Sequence, residues 1–574
     1  MHKLHRFLVD YDLSMLRALA RNRGAQLATN RQTEAADELA ALLIEPVSVR
    51  TALANLSAEA REALDILQSV GGRMRAPRFA RRFGHVRPVG PGRLEREAPW
   101  QEPANPAEEL WYAGLIFRAF DQDEAGPGEF IFVPDDLRAL LPESQIEPPA
   151  FTVEMVPAPI IRPSGDEAAL VRDLFAYLVY LQNHDVRPYA DGRLGQRDLA
   201  ALRRRMDDGG ERRFAFLQHL ARRLGFLERQ GEFLRLEAAQ VKRWLTAAPD
   251  RQLASLQESW RDDPTWNDLC RVPSLVCNQE TPWANDPVAT RQALLALLAR
   301  CPAEGWWSVA SFVAAVKGAQ PDFQRPDGDY TSWYIRDAAS GDYLSGFDSW
   351  DRVEGALIAD LLAGPLCWSG IVATAQEGAV CRLTGAGARF LDLVAGDTVE
   401  QPALPIVVLP DFYVEVPPPV SLYTRFQLER FADSLPPESG TSKDQGEPRP
   451  LRYRLGAGSL ARALSRGIQV EQVLAFLQQA GERPVPANVA GQLRLWAGRF
   501  GQVELEEVAL LRVKSERMLK ELSVLPETRH LLAKILSPTS ALIRKRDLAR
   551  LRKELRGLGY LLPDEPGSDS AGPG

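Results

Sequence analysis

The chain of 574 residues is poor in the side chains that do most metal and nucleophile chemistry, with five cysteines and six histidines. No pair of cysteines has CxxC spacing and no histidine lies near a cysteine in sequence, so the usual zinc-ligand pattern is missing. A small, odd cysteine count excludes a disulfide scaffold and fits a reduced compartment, with the cysteines expected as small buried apolar residues. No G-x-S-x-G elbow occurs, which sets hydrolase chemistry aside. A GxxxxGK[ST] phosphate loop is also missing: Gly440-Thr441-Ser442-Lys443 has the wrong order, and Asp121-Gln122-Asp123-Glu124 falls in a turn. ATPase and helicase motor activity are therefore not expected of this chain. No apolar run reaches the ~18–20 residues of a membrane span. The longest candidate, 356–375, is broken by Asp360, Gly364, Pro365 and Gly370. The start, Met1-His2-Lys3-Leu4-His5, leads to Asp10 and Asp12 without an apolar signal core, so a cytoplasmic location and no membrane partner are expected. A net charge of −7 gives no global attraction to nucleic acid.

What is present is ordinary globular composition, 45% hydrophobic and 25% charged, in a length that suits about three to five domains. Periodicity predicts a mainly α chain with small β-hairpins: tandem winged-helix units followed by an α/β clutch-like domain. Residues 1–56 read as a helical hairpin similar to a SAP motif. Leu13, Leu16, Leu19 and Ala20 form one stripe, Ala36, Leu39, Ala40 and Leu43 another, and Arg23-Gly24 closes the first helix. Residues 57–150 form winged helix 1. Ser57 caps a helix carrying Leu64, Leu67 and Val70; helices at 76–83 and 106–113 and strands at 116–120 and 130–133 follow. The grammar recurs over 160–284, with helices at 167–181, 198–205 and 212–224, a hairpin at 225–236 and a Trp-rich bracing helix. A third copy, 285–400, has helices at 288–300, 308–317, 351–362 and 386–393. Its wing strands are expected at 366–374 and 379–383, and an aromatic insertion at 322–350.

Residues 402–562 change character. Strands are expected at 405–410, 411–416 and 453–455, a helix at 422–435 and a mobile polar loop at 436–450. Helices are expected at 457–465, 470–479, 486–500, 515–521 and 545–558, and a disordered tail at 563–574. One string here is Val408-Leu409-Pro410-Asp411-Phe412-Tyr413-Val414-Glu415-Val416-Pro417. A second is Tyr453-Arg454-Leu455-Gly456-Ala457-Gly458-Ser459-Leu460-Ala461-Arg462-Ala463-Leu464, followed by Arg466-Gly467, 470–477, 484–488 and Leu558-Gly559-Tyr560. Together they resemble the N-terminal domain of XPB-type DNA helicases, which bacteria also carry in helicase-associated proteins. The resemblance covers about 404–562 and leaves out the motor. In that family the domain engages a partner of similar fold in the TFIIH complex. The order found here, winged helices and then the clutch-like domain, is similar to that partner's. The resemblance implies a helicase or nuclease partner contacted through 402–562.

Basic residues cluster locally. Arg73, Arg75, Arg78, Arg81, Arg82 and Arg87 crowd the second helix of the first unit. Arg203, Arg204, Arg205, Arg212 and Arg213 crowd the matching zone of the second, with Arg222 and Arg223 on its third helix. Arg544, Lys545, Arg546, Arg550, Arg552, Lys553 and Arg556 load the last helix, opposite a stripe of Leu548, Leu551, Leu555 and Leu558. A planar guanidinium meets phosphate with two hydrogen bonds, so these residues are the DNA-binding candidates. Interleaved Asp207, Asp208 and Glu211 keep a plain solvated face as the alternative. Glu108 and Glu109, beside Trp111 and Tyr112 on the third helix of the first unit, would repel phosphate in a major groove. That unit is therefore expected to serve assembly or to touch DNA through its second helix. No catalytic residue, metal or cofactor is expected. The function expected is a non-enzymatic DNA-transaction accessory, in repair or transcription, binding DNA and a helicase or nuclease. A protein–protein scaffold is the alternative, and a cryptic nuclease or hydrolase a third.

Overall fold

The computed structural model describes residues 3–561 apart from 124–125, 143, 145–150, 161–162, 208, 279–282, 395–403, 420, 436–449 and 503–506. The loop expected at 436–450, save Pro450, and the tail expected at 563–574 lie outside the described residues. The fold is mainly helical with small antiparallel sheets. It divides into two compact units: residues 1–402 with 421–426, and residues 403–420 with 427–574.

The first unit opens with four helices where the sequence predicts two: Leu4–Val9, Leu13–Asn22, Gln32–Leu43 and Pro46–Asn55. Local chemistry explains the extra breaks. The Asp12 carboxylate accepts the Met15 N–H to start the second helix, and Pro46 sits in the first turn of the fourth. Ser57 caps Ala58–Ser69 as expected, and Ala76–Phe83 and Pro106–Tyr112 follow. The hairpin strands are Phe117–Asp123 and Gly126–Phe132. An unexpected third strand, Arg73–Arg75, pairs with Gly126–Phe132, and an unexpected helix spans Pro91–Glu97. Leu4, Leu8, Leu16, Leu39, Leu64, Phe79, Phe117 and Phe132 share one core.

A second core runs through the rest of this unit. Helices Ala169–Asn183 and Glu211–Arg223, with the Leu227–Gln230 and Phe233–Leu236 hairpin, pack into the same cluster as Pro287–Leu298 and Ala356–Ala363. Residues 366–374 are not one strand. Pro365 begins a helical turn, Pro365–Trp368, and the strand is Val372–Ala375, paired with Val380–Leu383. Cys367 and Cys381 therefore do not face each other across a strand pair. Cys270 and Cys277 are joined by a disulfide, with a Cα separation of 5.4 Å. That corrects their expected role as free apolar residues, because a short helical turn and the strand after it bring them within bonding reach. Cys301, Cys367 and Cys381 are buried thiols outside the disulfide.

The second unit holds two small bodies. In the first, strands Val407–Val408, Tyr413–Val416, Leu451–Arg454 and Asp433–Ser434 lie side by side in that order. They share a core with Ala457–Ser465, Val470–Gly481 and Ala487–Arg499 through Val414, Leu460, Leu477 and Val489. The helix expected over 422–435 stops at Leu428, since Asp433–Ser434 pairs as a strand. The second body was expected to be helices alone. It contains a three-stranded sheet in the order Val508–Arg512, Ser540–Arg544, Leu532–Ser537. One face packs on Glu516–Val524 and Leu548–Gly557 through Leu522, Ile543, Leu551 and Leu555. The last helix starts at Leu548 because Lys545–Asp547 is a tight 3₁₀ turn.

Candidate nucleic-acid interface

The arginines of the first unit are held by the protein's own carboxylates. Arg75 is nearly buried. Its guanidinium lies across the Asp123 carboxylate, with Nε donating to Oδ2 at 2.9 Å, and also donates to the Gly126 carbonyl at 2.8 Å. The hydrogen bond to Asp123 holds its pKa above the usual arginine value. Arg73 donates to the Gln122 carbonyl at 2.8 Å, pairs with Asp121 at 3.1 Å and lies 4.2 Å over the Phe130 ring. Arg81 forks onto Asp322 at 2.7 and 3.0 Å and covers Phe347 at 4.4 Å. Arg78 stands 3.8 Å from the same carboxylate, and Arg82 bonds Glu62 at 2.6 Å. These contacts neutralise most of the patch the sequence offered to phosphate.

Glu108 is buried and half-exposed Glu109 is tied to Ser57, so they do not form the repulsive helix surface expected of them. Glu108 has no exposed side-chain surface. It takes Arg87 Nε at 2.6 Å and Nη2 at 2.7 Å, with the Arg87 and Ala104 N–H groups at 3.0 Å. Glu109 accepts from the Ser57 N–H at 2.6 Å and the Ser57 hydroxyl at 2.7 Å. Trp111 and Tyr112 are buried and belong to the core.

The second cluster is divided. Arg213 and Asp173 form a buried pair at 2.5 Å, and Arg212 meets Asp360 at 2.6 Å. Arg223 reaches Asp263 at 3.3 Å and the Ser259 and Asp262 carbonyls at 3.1 and 3.0 Å. Arg222 donates to the Gly192 carbonyl at 2.6 Å. Arg205 lies 5.8 Å from the Tyr180 ring. Arg203 and Arg204 are exposed, with no ion pair among the described residues.

The C-terminal body differs in kind. Between residues 508 and 561 there are thirteen lysines and arginines against five aspartates and glutamates, in a chain whose net charge is −7. Leu551 and Leu555 anchor the last helix, which turns Arg550, Lys553 and Arg556 outward. The side chains of these three and of Arg544, at the end of the adjoining strand, make no ion pair or hydrogen bond among the described residues. Lys545 pairs with Glu507, Arg546 stands 3.8 Å from Asp547, and Arg552 is half-buried. Like charges three residues apart on one helix face repel each other, and a polyanion relieves that repulsion. The sequence reading missed Arg512, Lys514, Arg517, Arg529 and Lys534, all exposed on the same body. A charge count over the 508–561 window would have found them.

Residues 407–537 match the helicase conserved C-terminal domain family. No curated protein matches the chain. The match takes in the first sheet and helices of the second unit and ends with the Leu532–Ser537 strand, so Arg544 and the last helix lie beyond it. The chain thus carries a segment similar to a helicase C-terminal domain, which links it to DNA transactions. Among the described residues, no helix is long and apolar enough to cross a membrane and no acidic, Cys or His group is placed to hold a metal ion.

Proposed function

We propose that the protein is a non-enzymatic accessory factor in DNA transactions. It holds DNA on the C-terminal body and a helicase or nuclease through the 402–562 domain, which is of the XPB N-terminal type. The observation that carries this reading is the unneutralised cationic face of Arg544, Arg550, Lys553 and Arg556, directly after the helicase-like segment. Unpaired guanidinium and ammonium groups on a helix held by a leucine stripe meet phosphates without first breaking internal ion pairs. The helix-and-hairpin units of the first 400 residues are, in this reading, winged helices used for assembly, because most of their clustered arginines already serve internal carboxylates.

Fluorescence anisotropy on duplex, single-stranded and forked DNA at two salt concentrations tests the reading. Binding should weaken steeply with salt. Changing Arg544, Arg550, Lys553 and Arg556 together to Glu should cost at least tenfold in affinity and flatten the salt slope by about three to four. No binding to any DNA form at low salt, together with failure to retain an XPB-type helicase, overturns it. Neutralised arginines in the first unit favour a pure scaffold as the second reading, and DNA affinity indifferent to the four substitutions supports that outcome. ATP turnover, with or without DNA, is expected to be absent.

A further inference from the structure

The three-stranded sheet of the C-terminal body has two edges, and they are built differently. The Leu532–Ser537 edge carries two register shifts against Ser540–Arg544 and a lysine, Lys534. Bulges and lysines are the usual means of keeping other chains off an edge. The Val508–Arg512 edge has neither. It pairs without a shift, Val508 opposite Arg544, Leu510 opposite Leu542 and Arg512 opposite Ser540. Elsewhere among the described residues, the four-stranded sheet of this unit is bounded by strands of two residues, Val407–Val408 and Asp433–Ser434.

The ladder fixes which groups of this strand are free. Lys545 N–H bonds the Glu507 carbonyl at 3.2 Å and Val513 N–H bonds the Thr539 carbonyl at 3.0 Å. In an antiparallel pair alternate residues exchange both bonds, so the odd-numbered residues bond inward. Val508, Leu510 and Arg512 therefore turn their N–H and C=O groups outward, and these have no partner among the described residues. The same three side chains stand on the sheet face away from the core. Ala509 and Leu511 pack inward, whereas Val508 is 41% and Leu510 47% exposed. Half-buried Leu542 lies between Leu510 and Lys534 on that face. Arg512, Arg544 and Lys534 rim it, and none of the three strands contains an acidic residue.

We infer that Val508–Arg512 is a docking edge to which a protein partner adds one extended strand whose aliphatic residues and carboxylates share a face. Main-chain hydrogen bonds to Val508, Leu510 and Arg512 supply affinity, and alternate side chains supply specificity. Aliphatic groups cover Val508, Leu510 and Leu542, and carboxylates meet Arg512 and Arg544. A nucleic acid strand fits this face poorly, because none of its strands offers a ring for a base to stack on. A second copy would press one strongly cationic body against another. The inference deepens the partner half of the reading above and does not depend on DNA binding by the last helix.

The test uses the full chain and a fluorescent nonapeptide, Glu-Thr-Val-Thr-Val-Thr-Val-Thr-Glu, whose valines and glutamates fall on one strand face with threonines on the other, read by anisotropy. Saturable binding is expected. It should be at least tenfold weaker for Arg512→Glu and for Leu510→Pro, which removes one outward N–H. The same peptide methylated on alternate backbone nitrogens leaves the protein untouched and should not bind. Duplex DNA affinity of Leu510→Pro should stay within twofold of the unaltered chain, which separates this result from the fate of the DNA reading. No saturable binding, or equal binding of the methylated peptide, overturns the inference.

Discussion

Arg291 is fully buried, and oxygens converge on it from several sides. Asp268 lies at 2.6 Å, the Trp260 and Asp263 carbonyls each at 2.7 Å, and the Trp266 carbonyl closer still. Asp268 in turn accepts from the Trp260 and Trp266 indoles at 3.3 and 3.0 Å. Burial pushes the Asp268 carboxyl up and Arg291 opposes that. Removing the arginine strands a buried carboxylate, so Arg291→Met is expected to cost about 3–5 kcal/mol by denaturant unfolding. A loss under about 1 kcal/mol, typical of an exposed pair, contradicts this account. Glu108 gives a pH dependence. Burial raises its pKa, but the Arg87 guanidinium and the Ala104 and Arg87 N–H groups outweigh burial and hold the carboxyl below the usual range. A depressed folded pKa adds stability above the unfolded value of about 4.3, lost as pH falls through the folded value. Stability of the unaltered chain should therefore fall more steeply on acidification below about pH 4.3 than that of Glu108→Gln, measured by urea titration at each pH.

At the scale of elements, charge in sequence did not reveal charge in space. Arg81 and Asp322 are 241 positions apart and meet as a two-point ion pair, which no local pattern could announce. The arginine-rich helix Ala76–Phe83 was legible to the residue as a helix and misleading as a DNA surface. Long periodic helices were visible because a leucine stripe repeats every three or four residues. Short strands such as Arg73–Arg75 and Val508–Arg512 hold too few alternations to stand out, and two of them are completed only by distant partners. The cationic last helix was legible because Leu551 and Leu555 fall opposite Arg550, Lys553 and Arg556, although Leu558 of the expected stripe is exposed and Arg552 is half-buried. Substitution should divide the two surfaces. Arg81→Ala is expected to lower stability and leave DNA affinity within twofold. Arg550→Ala or Lys553→Ala should leave stability nearly unchanged, weaken DNA binding uniformly across sequences and reduce the salt slope by about one. Equal DNA defects from both sets, by anisotropy, would place DNA on the first unit as well.

For the whole molecule, two compact units with separate cores predict unfolding in more than one step. Leu357 is fully buried in the first unit and Leu477 in the second. Each Leu→Ala change is expected to cost about 2–5 kcal/mol in its own core. In scanning calorimetry Leu357→Ala should lower one transition and Leu477→Ala the other, whereas a single transition moved by both would show one cooperative body. The same experiment locates DNA. A ligand that binds only the folded form stabilises it by RT ln(1 + [L]/Kd), about 2.7 kcal/mol at a hundredfold excess over Kd. If DNA sits on the body carrying Arg544, Arg550, Lys553 and Arg556, duplex DNA should raise the transition that Leu551→Ala, in that body's own core, lowers and leave the Leu357 transition in place. A rise in the Leu357 transition instead would move the nucleic-acid surface to the first unit, where Arg203 and Arg204 are the remaining exposed candidates.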